Sequence, residues 1–212
     1  MYLSVCRLRH TVRFLVTMSE ILHFVKAGIR NPLHVGALMP SSPALARAMV
    51  DGLDLKPNQT VLELGPGTGS LTHALNAKLP HAQAYLGIER DPHFVSLLQK
   101  RFPHLRFVVG DAANALHISN EHIEGQIKYI ISGLPFATLP TQVRSAILEN
   151  LTHLLTPGSV FRTFQYLHAS RIPQATAFRQ FMNERYGPAK RSPIVLKNIP
   201  PAFTYTWHVP HS

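Results

Sequence analysis

A buried strand that runs directly into a glycine-rich turn constrains the fold of this 212-residue chain more than any other feature. The segment Val61–Leu64 is apolar apart from Glu63, glycines follow at positions 65, 67 and 69, and a helical pattern begins at Ser70. Glycines let the backbone approach a ligand closely, and the first turn of a helix offers unpaired N–H groups. The segment therefore predicts a ligand site between a strand and a helix.

The same strand opens a regular alternation of apolar runs and helical patterns. The runs are bounded by Gly, Pro or Asp, as expected for buried strands. The predicted strands are Thr60–Leu64, Ala84–Ile88, Leu105–Val109, Ile127–Ser132 and Gly158–Tyr166, and the predicted helices are Ser70–Leu79, Pro92–Phe102 and Pro140–Leu155. Alternation with short connections predicts a parallel sheet covered by helices on both faces.

The C-terminal part departs from this alternation. A predicted helix, Gln174–Tyr186, is followed by two extended runs, Lys190–Asn198 and Ala202–Val209, with Ile199, Pro200 and Pro201 between them. Two runs joined so closely form an antiparallel hairpin most simply, and an edge position tolerates the prolines. The prediction is an α/β fold with a seven-stranded, mostly parallel sheet and a C-terminal antiparallel hairpin.

The net charge of +10 is distributed unevenly along the chain. Residues 1–58 contain seven basic and three acidic side chains, residues 59–159 contain seven of each, and residues 160–212 contain seven basic and one acidic. At 45% hydrophobic residues, most of the chain can bury a core and is not intrinsically disordered. A neutral middle between basic ends predicts contact with something anionic, either nucleic acid or a phospholipid surface.

The N-terminal part has the pattern of a basic amphipathic helix. After Ser19, apolar residues from Ile21 to Ile29 fall on one helical face, and a second apolar stripe lies upstream beside three arginines. Such a helix either lies on a membrane interface or packs on its own domain. We assign residues 1–58 to membrane docking and capping of the ligand site, with Met18 as an alternative start, and residues 59–212 to the catalytic domain.

Acidic residues at successive strand ends narrow the choice of ligand. Glu89 ends the second strand about twenty residues beyond the glycines, where a carboxylate can accept both hydroxyls of a ribose. Asp111 and Ala112 follow the third strand, where Asp111 can accept from an adenine amino group. Together with Glu63, Gly65, Gly67 and Gly69, these residues resemble the cosubstrate site of S-adenosylmethionine-dependent, Rossmann-like class I methyltransferases. The resemblance implies S-adenosylmethionine as cosubstrate, S-adenosylhomocysteine as product, and no metal.

The segment after the fourth strand resembles the loop in which amino-methyltransferases hold the target nitrogen. It runs Ser132-Gly133-Leu134-Pro135-Phe136. A carbonyl of Ser132 or Leu134, kept unpaired by Pro135, would accept a hydrogen bond from the amine, and Phe136 would face the methylammonium through a cation–π interaction. Tyr166, at the end of the fifth strand, either contacts the amine or lipid phosphate or packs as a core tyrosine.

Four segments together resemble the bacterial phospholipid N-methyltransferases, which are related to the ribosomal RNA adenine dimethyltransferases. They are Asn31–Met49, Glu63–Gly69, Ser132–Pro135 and Asn198–Ala202. In this family Pro40, Ser41 and Ser42 match a segment that closes over the cosubstrate. The alternative for these serines is an ordinary cap of the helix Pro43–Val50.

The resemblance implies transfer of methyl groups to the amine of phosphatidylethanolamine and its methylated derivatives, leading to phosphatidylcholine. The expected partners are an anionic membrane surface and the phospholipid substrate, without an obligate protein partner. The expected location is cytoplasmic, on the inner face of the cell membrane. One alternative is a nucleic-acid adenine-N6 methyltransferase, but Gly133 replaces that group's Asn, and no helical RNA-binding domain follows the hairpin. Another is a catalytically inactive binding module with the same fold.

Overall fold

A computed structural model describes residues 41–211, in which seven strands form one sheet. The strands are β1 Gln59–Leu64, β2 Tyr85–Glu89, β3 Arg106–Val109, β4 Gln126–Ser132, β5 Val160–Tyr166, β6 Lys190–Arg191 and β7 Ala202–His208. Their spatial order is β3-β2-β1-β4-β5-β7-β6. The first five are parallel to one another, and β7 runs antiparallel to both β5 and β6. The predicted, mostly parallel sheet is therefore confirmed.

Six α-helices accompany these strands in residues 41–211. They are α1 Pro43–Val50, α2 Ser70–Asn76, α3 Pro92–Arg101, α4 Ala115–His122, α5 Thr141–Leu154 and α6 Pro173–Tyr186. Helix α4 was not predicted, because it buries only Ala115, Ile118 and Ser119 and so carries a short apolar stripe. The other helices agree with the predictions to within three residues at either end.

Two apolar cores lie on the two faces of the sheet. Side chains along a strand alternate between faces, so Val61 and Tyr85 belong to one core while Leu62 and Leu86 belong to the other. Helices α1, α2 and α3 contribute to the first core, and α4, α5 and α6 contribute to the second. Burial on both faces explains why the central strands are continuous apolar runs in the sequence.

The predicted hairpin forms at the sheet edge, with a first strand shorter than expected. Strand β6 contains only Lys190 and Arg191, and residues 192–201 form a loop that keeps one bridge to β7, between Val195 and Ala202. Proline at position 193 has no N–H to donate to a ladder. Because β7 is antiparallel to β5, with Ala202 opposite Tyr166, residues 192–201 lie at the carboxyl end of β5.

Helix α1 belongs with the sheet. Leu45 and Met49 are fully buried in the first core, and the compact unit that contains the sheet begins at residue 40. Helix α1 thus packs on the sheet although it precedes the predicted domain boundary at residue 59, and that boundary stays a prediction. The predicted amphipathic helices and Pro40 lie outside the described residues. Within residues 41–211, every helix is too short or too polar to span a bilayer.

Candidate active site

The glycine turn lies at the carboxyl end of β1, and Gly67 is its most open position. Gly65, Gly67 and Gly69 have φ angles of +70°, +54° and +81°. A Cβ atom on Gly65 or Gly69 would meet Leu134 or Leu98 at 2.7 and 2.8 Å, whereas one on Gly67 would have no atom within 4 Å. Gly67 therefore presents bare backbone to open space, as a ligand cradle requires.

Glu89, at the end of β2, supports this turn directly. Its Oε2 accepts a hydrogen bond from the Gly67 N–H at 2.9 Å, and its Oε1 accepts from the Asp91 N–H at 3.0 Å. Each carboxylate oxygen has a second lone pair, which a ribose hydroxyl can use. The structure thus places Glu89 beside Gly67, where the sequence predicted a ribose acceptor.

Asp111 and Ala112 follow β3 at the same edge of the sheet. The Gly110 N–H donates to the Glu89 carbonyl at 2.9 Å, which brings this segment against the end of β2. Asp111 Oδ1 accepts from the Ala113 N–H at 2.9 Å and caps the short turn that begins at Ala112. The structure thus supports a capping role for one oxygen, and the contact to adenine stays a prediction.

Glu63 is fully buried inside the sheet next to the turn. Its Oε2 accepts hydrogen bonds from Thr72 Oγ1 at 2.8 Å and from the Tyr85 hydroxyl at 2.5 Å, while its Oε1 has no hydrogen-bond partner among the described residues. Burial raises the pKa of Glu63 from 4.5 to about 7, against the lowering effect of the bonds from Tyr85 and Thr72. The Oε1 atom can accept one further hydrogen bond, and pairing of this carboxyl group with a cationic group of a ligand stays a prediction.

Sequence reasoning missed the two residues that hold Glu63. Thr72 lies in the first turn of α2, and Tyr85 is the first residue of β2, before the aliphatic residues Leu86 and Ile88. Burial raises the pKa of Tyr85 well above 10, so its hydroxyl stays protonated and donates to Glu63. The sequence did contain one signal: a buried tyrosine hydroxyl needs a hydrogen-bond partner, and Tyr85 lies on a strand predicted to be buried.

The loop after β4 packs against the glycine turn. The Gly133 N–H donates to the Leu64 carbonyl at 2.9 Å, and the Leu134 side chain covers Gly65. The carbonyls of Ser132 and Leu134, predicted to be unpaired, each accept one hydrogen bond within the protein; each keeps a second lone pair, so acceptance from the amine stays a prediction. Ser132 is fully buried and its carbonyl accepts from Thr163 Oγ1 at 3.0 Å, while the Leu134 carbonyl accepts from the Phe136 N–H at 3.0 Å.

The loop is closed by further internal bonds. Ser132 Oγ accepts from the Leu134 N–H at 3.2 Å, and the Pro135 carbonyl accepts from the Thr138 N–H at 2.8 Å. Gly133, Leu134 and Pro135 are only half-buried. The loop is therefore a fixed surface beside the glycine turn rather than a row of unpaired acceptors.

Phe136 lies in the second core, contrary to the prediction that it faces the methyl group. Its ring stacks on Phe178 of α6 with centroids 4.2 Å apart and meets Phe161 edge-on at 6.2 Å. Only 4% of the side chain is exposed. A cation–π contact needs an open ring face, and α6 supplies an aromatic partner for that face instead.

Tyr166 stands at the end of β5, at the same edge as the loop after β4. The side chain is mostly buried between Phe164, at a centroid distance of 5.5 Å, and the stacked ring of His168, at 5.7 Å. Burial raises the pKa of Tyr166. This arrangement favours the packing role, and contact with the amine or lipid phosphate stays a prediction.

A buried asparagine, Asn198, connects the start of α1 to the segment between β6 and β7. Ser42 caps α1, since its Oγ accepts from the Leu45 N–H at 3.2 Å, and its own N–H donates to Asn198 Oδ1 at 2.9 Å. Asn198 also donates from Nδ2 to the Pro200 carbonyl at 2.7 Å. Ser41 precedes this contact and is half-buried. The cap is thus observed, and a contact of Ser41 or Ser42 with the cosubstrate stays a prediction.

A glycine turn with acidic residues at three successive strand ends defines a methyltransferase that uses S-adenosylmethionine. Glu63 supplies a buried carboxylate oxygen without a partner among residues 41–211, and Gly67 supplies an open backbone position, so the residues fit this cosubstrate. The model of the family "Ribosomal RNA adenine dimethylase" matches residues 41–172. The chain belongs to this family of S-adenosylmethionine-dependent methyltransferases.

Solved structures confirm the predicted Rossmann-like methyltransferase fold. The TehB-like S-adenosylmethionine-dependent methyltransferase of Corynebacterium glutamicum superposes with a TM-score of 0.58 at 18% identity, over 88% of this chain and 97% of that one. A glycopeptide N-methyltransferase in complex with S-adenosylhomocysteine gives a TM-score of 0.59 at 12% identity, over 79% and 86% of the two chains.

Two sequence relatives differ in how much of the chain they match. The ornithine lipid N-methyltransferase of Singulisphaera acidiphila is 25% identical over 191 residues, which are 89% of this chain and 95% of that protein. The ribosomal RNA small subunit methyltransferase A of Thermotoga neapolitana is 32% identical over 112 residues, which are 51% of this chain and 42% of that protein. The similarity to the lipid enzyme thus extends over much more of the chain.

Proposed function

We propose that this methyltransferase transfers methyl groups to the ethanolamine amine of phosphatidylethanolamine and of its methylated derivatives, leading to phosphatidylcholine. The observation that carries the proposal is the surroundings of Gly133. A Cβ atom there would lie 2.7 Å from the Gly65 carbonyl oxygen, well inside the roughly 3.5–4.0 Å of an ordinary contact. The position where adenine dimethyltransferases place Asn has no room for a side chain that could read an adenine amino group.

The relatives and the charge support a lipid acceptor. The relative that matches nearly the whole chain is named for methylation of an amino lipid. Residues 160–212, which include the hairpin absent from the family match, contain Glu184 as their one acidic residue and seven basic ones. Such a surface suits a site at the inner face of the cell membrane, where the enzyme would bind peripherally and each basic residue contributes about 1 kcal/mol.

The geometry indicates how the chain would promote methyl transfer. Bound S-adenosylmethionine would supply an electrophilic methyl group, and the amine, after releasing its ammonium proton to solvent, would take that methyl group as S-adenosylhomocysteine leaves. Such a displacement depends mainly on position and alignment. Glu63 would pair with the ammonium of the cosubstrate and Glu89 would accept from its ribose. The fixed loop from Gly133 to Pro135 would form the surface on which the amine lies.

A nucleic-acid adenine-N6 activity is the second candidate. It is favoured by the match of residues 41–172 to the adenine dimethylase family and by the net charge of +10. The cosubstrate site serves both acceptors equally well. The two candidates therefore differ in the acceptor surface alone.

Methyl-group labelling distinguishes the candidates. The full chain is incubated with S-adenosylmethionine labelled in its methyl group and, in separate reactions, vesicles containing phosphatidylethanolamine, vesicles containing ornithine lipid, or purified ribosomal RNA. We expect label in phosphatidylethanolamine and its methylated products. Label in RNA and none in lipid would refute a lipid acceptor, and label in ornithine lipid alone would refute the ethanolamine headgroup.

A further inference from the structure

The loop between β6 and β7 exposes large apolar side chains. We call residues 192–201 the hairpin loop. Leu196 is 73% exposed and Ile199 77%, and Ile194 is also exposed. Together with Leu167 these make four of the six exposed large apolar residues within 41–211. Single exposed apolar residues are common, but a concentration of them on one surface marks an interaction site.

Hydrogen bonds fix these side chains at the edge that carries the active site. The Leu167 N–H donates to the Pro201 carbonyl at 2.9 Å, and the Val195 N–H donates to the Ala202 carbonyl at 2.7 Å. These bonds place the hairpin loop beside the carboxyl end of β5. We call Leu167, Ile194, Leu196 and Ile199 the apolar patch. The patch therefore lies at the carboxyl end of β5, next to the loop that follows β4.

The hairpin loop is itself ordered by buried polar groups. Ser192 exchanges hydrogen bonds with Thr204 through its N–H at 3.0 Å and its Oγ at 2.9 Å. Asn198 is buried and bonds to Ser42 and Pro200 on either side. Leu196 and Ile199 flank this anchored asparagine, so they are held outward by a fixed backbone.

Basic side chains surround the apolar patch. Lys190, Arg191, Lys197 and Arg171 are all exposed, and no acidic residue occurs between positions 185 and 211. Single-stranded nucleic acid is bound by cations together with aromatic side chains on which bases stack. Exposed leucine and isoleucine between cations instead match the boundary of an anionic bilayer, where apolar groups enter the acyl region and cations remain at the phosphates.

We propose that the hairpin loop inserts Leu196 and Ile199 into the surface of an anionic phospholipid bilayer and so docks the active-site edge on the membrane. The inference rests on the proposed lipid function and deepens it by naming the surface that reaches the substrate. Lys197 and Arg171 bind lipid phosphates beside the inserted side chains. The same insertion presents the loop after β4 to the headgroup layer.

A fluorescent probe at position 196 tests the insertion directly. Cys6 is the one cysteine, so an environment-sensitive dye can be attached to the double variants C6S/L196C and C6S/L97C of the full chain. Leu97 is a matched control, because it is an exposed leucine on α3. With vesicles of phosphatidylethanolamine and phosphatidylglycerol, we expect a blue shift and quenching by spin-labelled lipid at position 196 and neither at 97. An unchanged spectrum at 196 would overturn the proposal.

Binding measurements separate this inference from the proposed activity. We expect L196S/I199S to bind these vesicles at least fivefold more weakly than wild type, with unchanged affinity for S-adenosylhomocysteine, and L97S to match wild type. If wild type methylates no lipid but the loop variant still loses vesicle binding, docking stands and the ethanolamine acceptor fails. Vesicle binding equal to wild type, or a loss of RNA binding alone, would overturn docking.

Discussion

The carboxyl edge of the sheet has two halves that depend on different kinds of contact. At the ends of β1, β2 and β3, the turn around Gly67 and the carboxyl groups of Glu63 and Glu89 lie where their spacing predicted. At the ends of β4 and β5, which we call the acceptor half, the predicted acceptor groups contact other parts of the protein. Ser132 is bound by Thr163, and Phe136 is stacked on Phe178.

The difference reflects the sequence distance over which each half is built. In the first half, which we call the cosubstrate half, the glycine conformations belong to one short segment and Glu89 follows Gly67 by 22 residues, so motifs of short spacing describe it. The acceptor half takes its partners from β5 and α6, which are about 30 to 40 residues further along the chain. Local motifs therefore identify a methyltransferase more readily than its acceptor.

The largest expected effect tests the cosubstrate half at Gly67. We expect G67L to weaken binding of S-adenosylhomocysteine at least 100-fold, because the new side chain fills the open space over the turn. G52L is the matched control, since Gly52 also has a positive φ, of +66°, and a Cβ atom added there would have no atom within 4 Å. Both variants should lose about 1–2 kcal/mol of stability. Affinities are measured by calorimetric titration. Equal affinities of G67L and wild type would show that the turn does not contact the cosubstrate.

The pH dependence of binding tests Glu63. Its pKa of about 7 means that the carboxyl group is mostly protonated at pH 6 in the unliganded protein. A cationic ligand prefers the carboxylate, so affinity for S-adenosylhomocysteine should rise as pH increases through 7. Between pH 6 and 7.5 we expect a rise of about fivefold, because the gain in Glu63 carboxylate exceeds the partial loss of proton from an amine with a pKa of about 7.7–8.0.

E63Q serves as the control for this pH profile and should bind weakly with no rise over the same range. A flat profile for wild type would show that Glu63 does not face the ligand's charge.

The raised pKa of Glu63 also affects the stability of the fold. The protonated carboxyl is favoured in the folded state, so its contribution to the free energy of unfolding is full below pH 4.5 and is lost as pH rises through about 7.

The smallest expected effect tests the acceptor half at Phe136. We expect F136L to lower the free energy of unfolding by about 0.5–1.5 kcal/mol beyond its lost buried area, because the stack on Phe178 disappears. A double-mutant cycle with F178L, measured by chemical denaturation, should show that the two losses are not additive. If F136L keeps its full stability but no longer catalyses the later methylation steps, Phe136 contacts the methyl group as first predicted.

Much of the fold could be predicted because burial on both faces leaves long apolar runs in β1, β2 and β4. Helix α4 escaped prediction because only three of its residues are buried. The length of β6 was overestimated, because its ladder ends after Arg191. The pattern of apolar and polar residues does not show where strand pairing ends. In the site, Thr72 and Tyr85 were missed because neither has a diagnostic spacing from Glu63, although all three meet in the folded core.

The reversed direction of β7 places the hairpin loop, for which we propose membrane docking, outside the paired part of the sheet. Its hydrogen bonds to β5 extend over seven residue pairs and do not involve the side chains of the hairpin loop. Changes at its exposed residues Leu196 and Ile199 would leave the pairing of β5 with β7 intact. A different acceptor surface could therefore be carried by the same pairing of β5 with β7, without any change in the order of the strands.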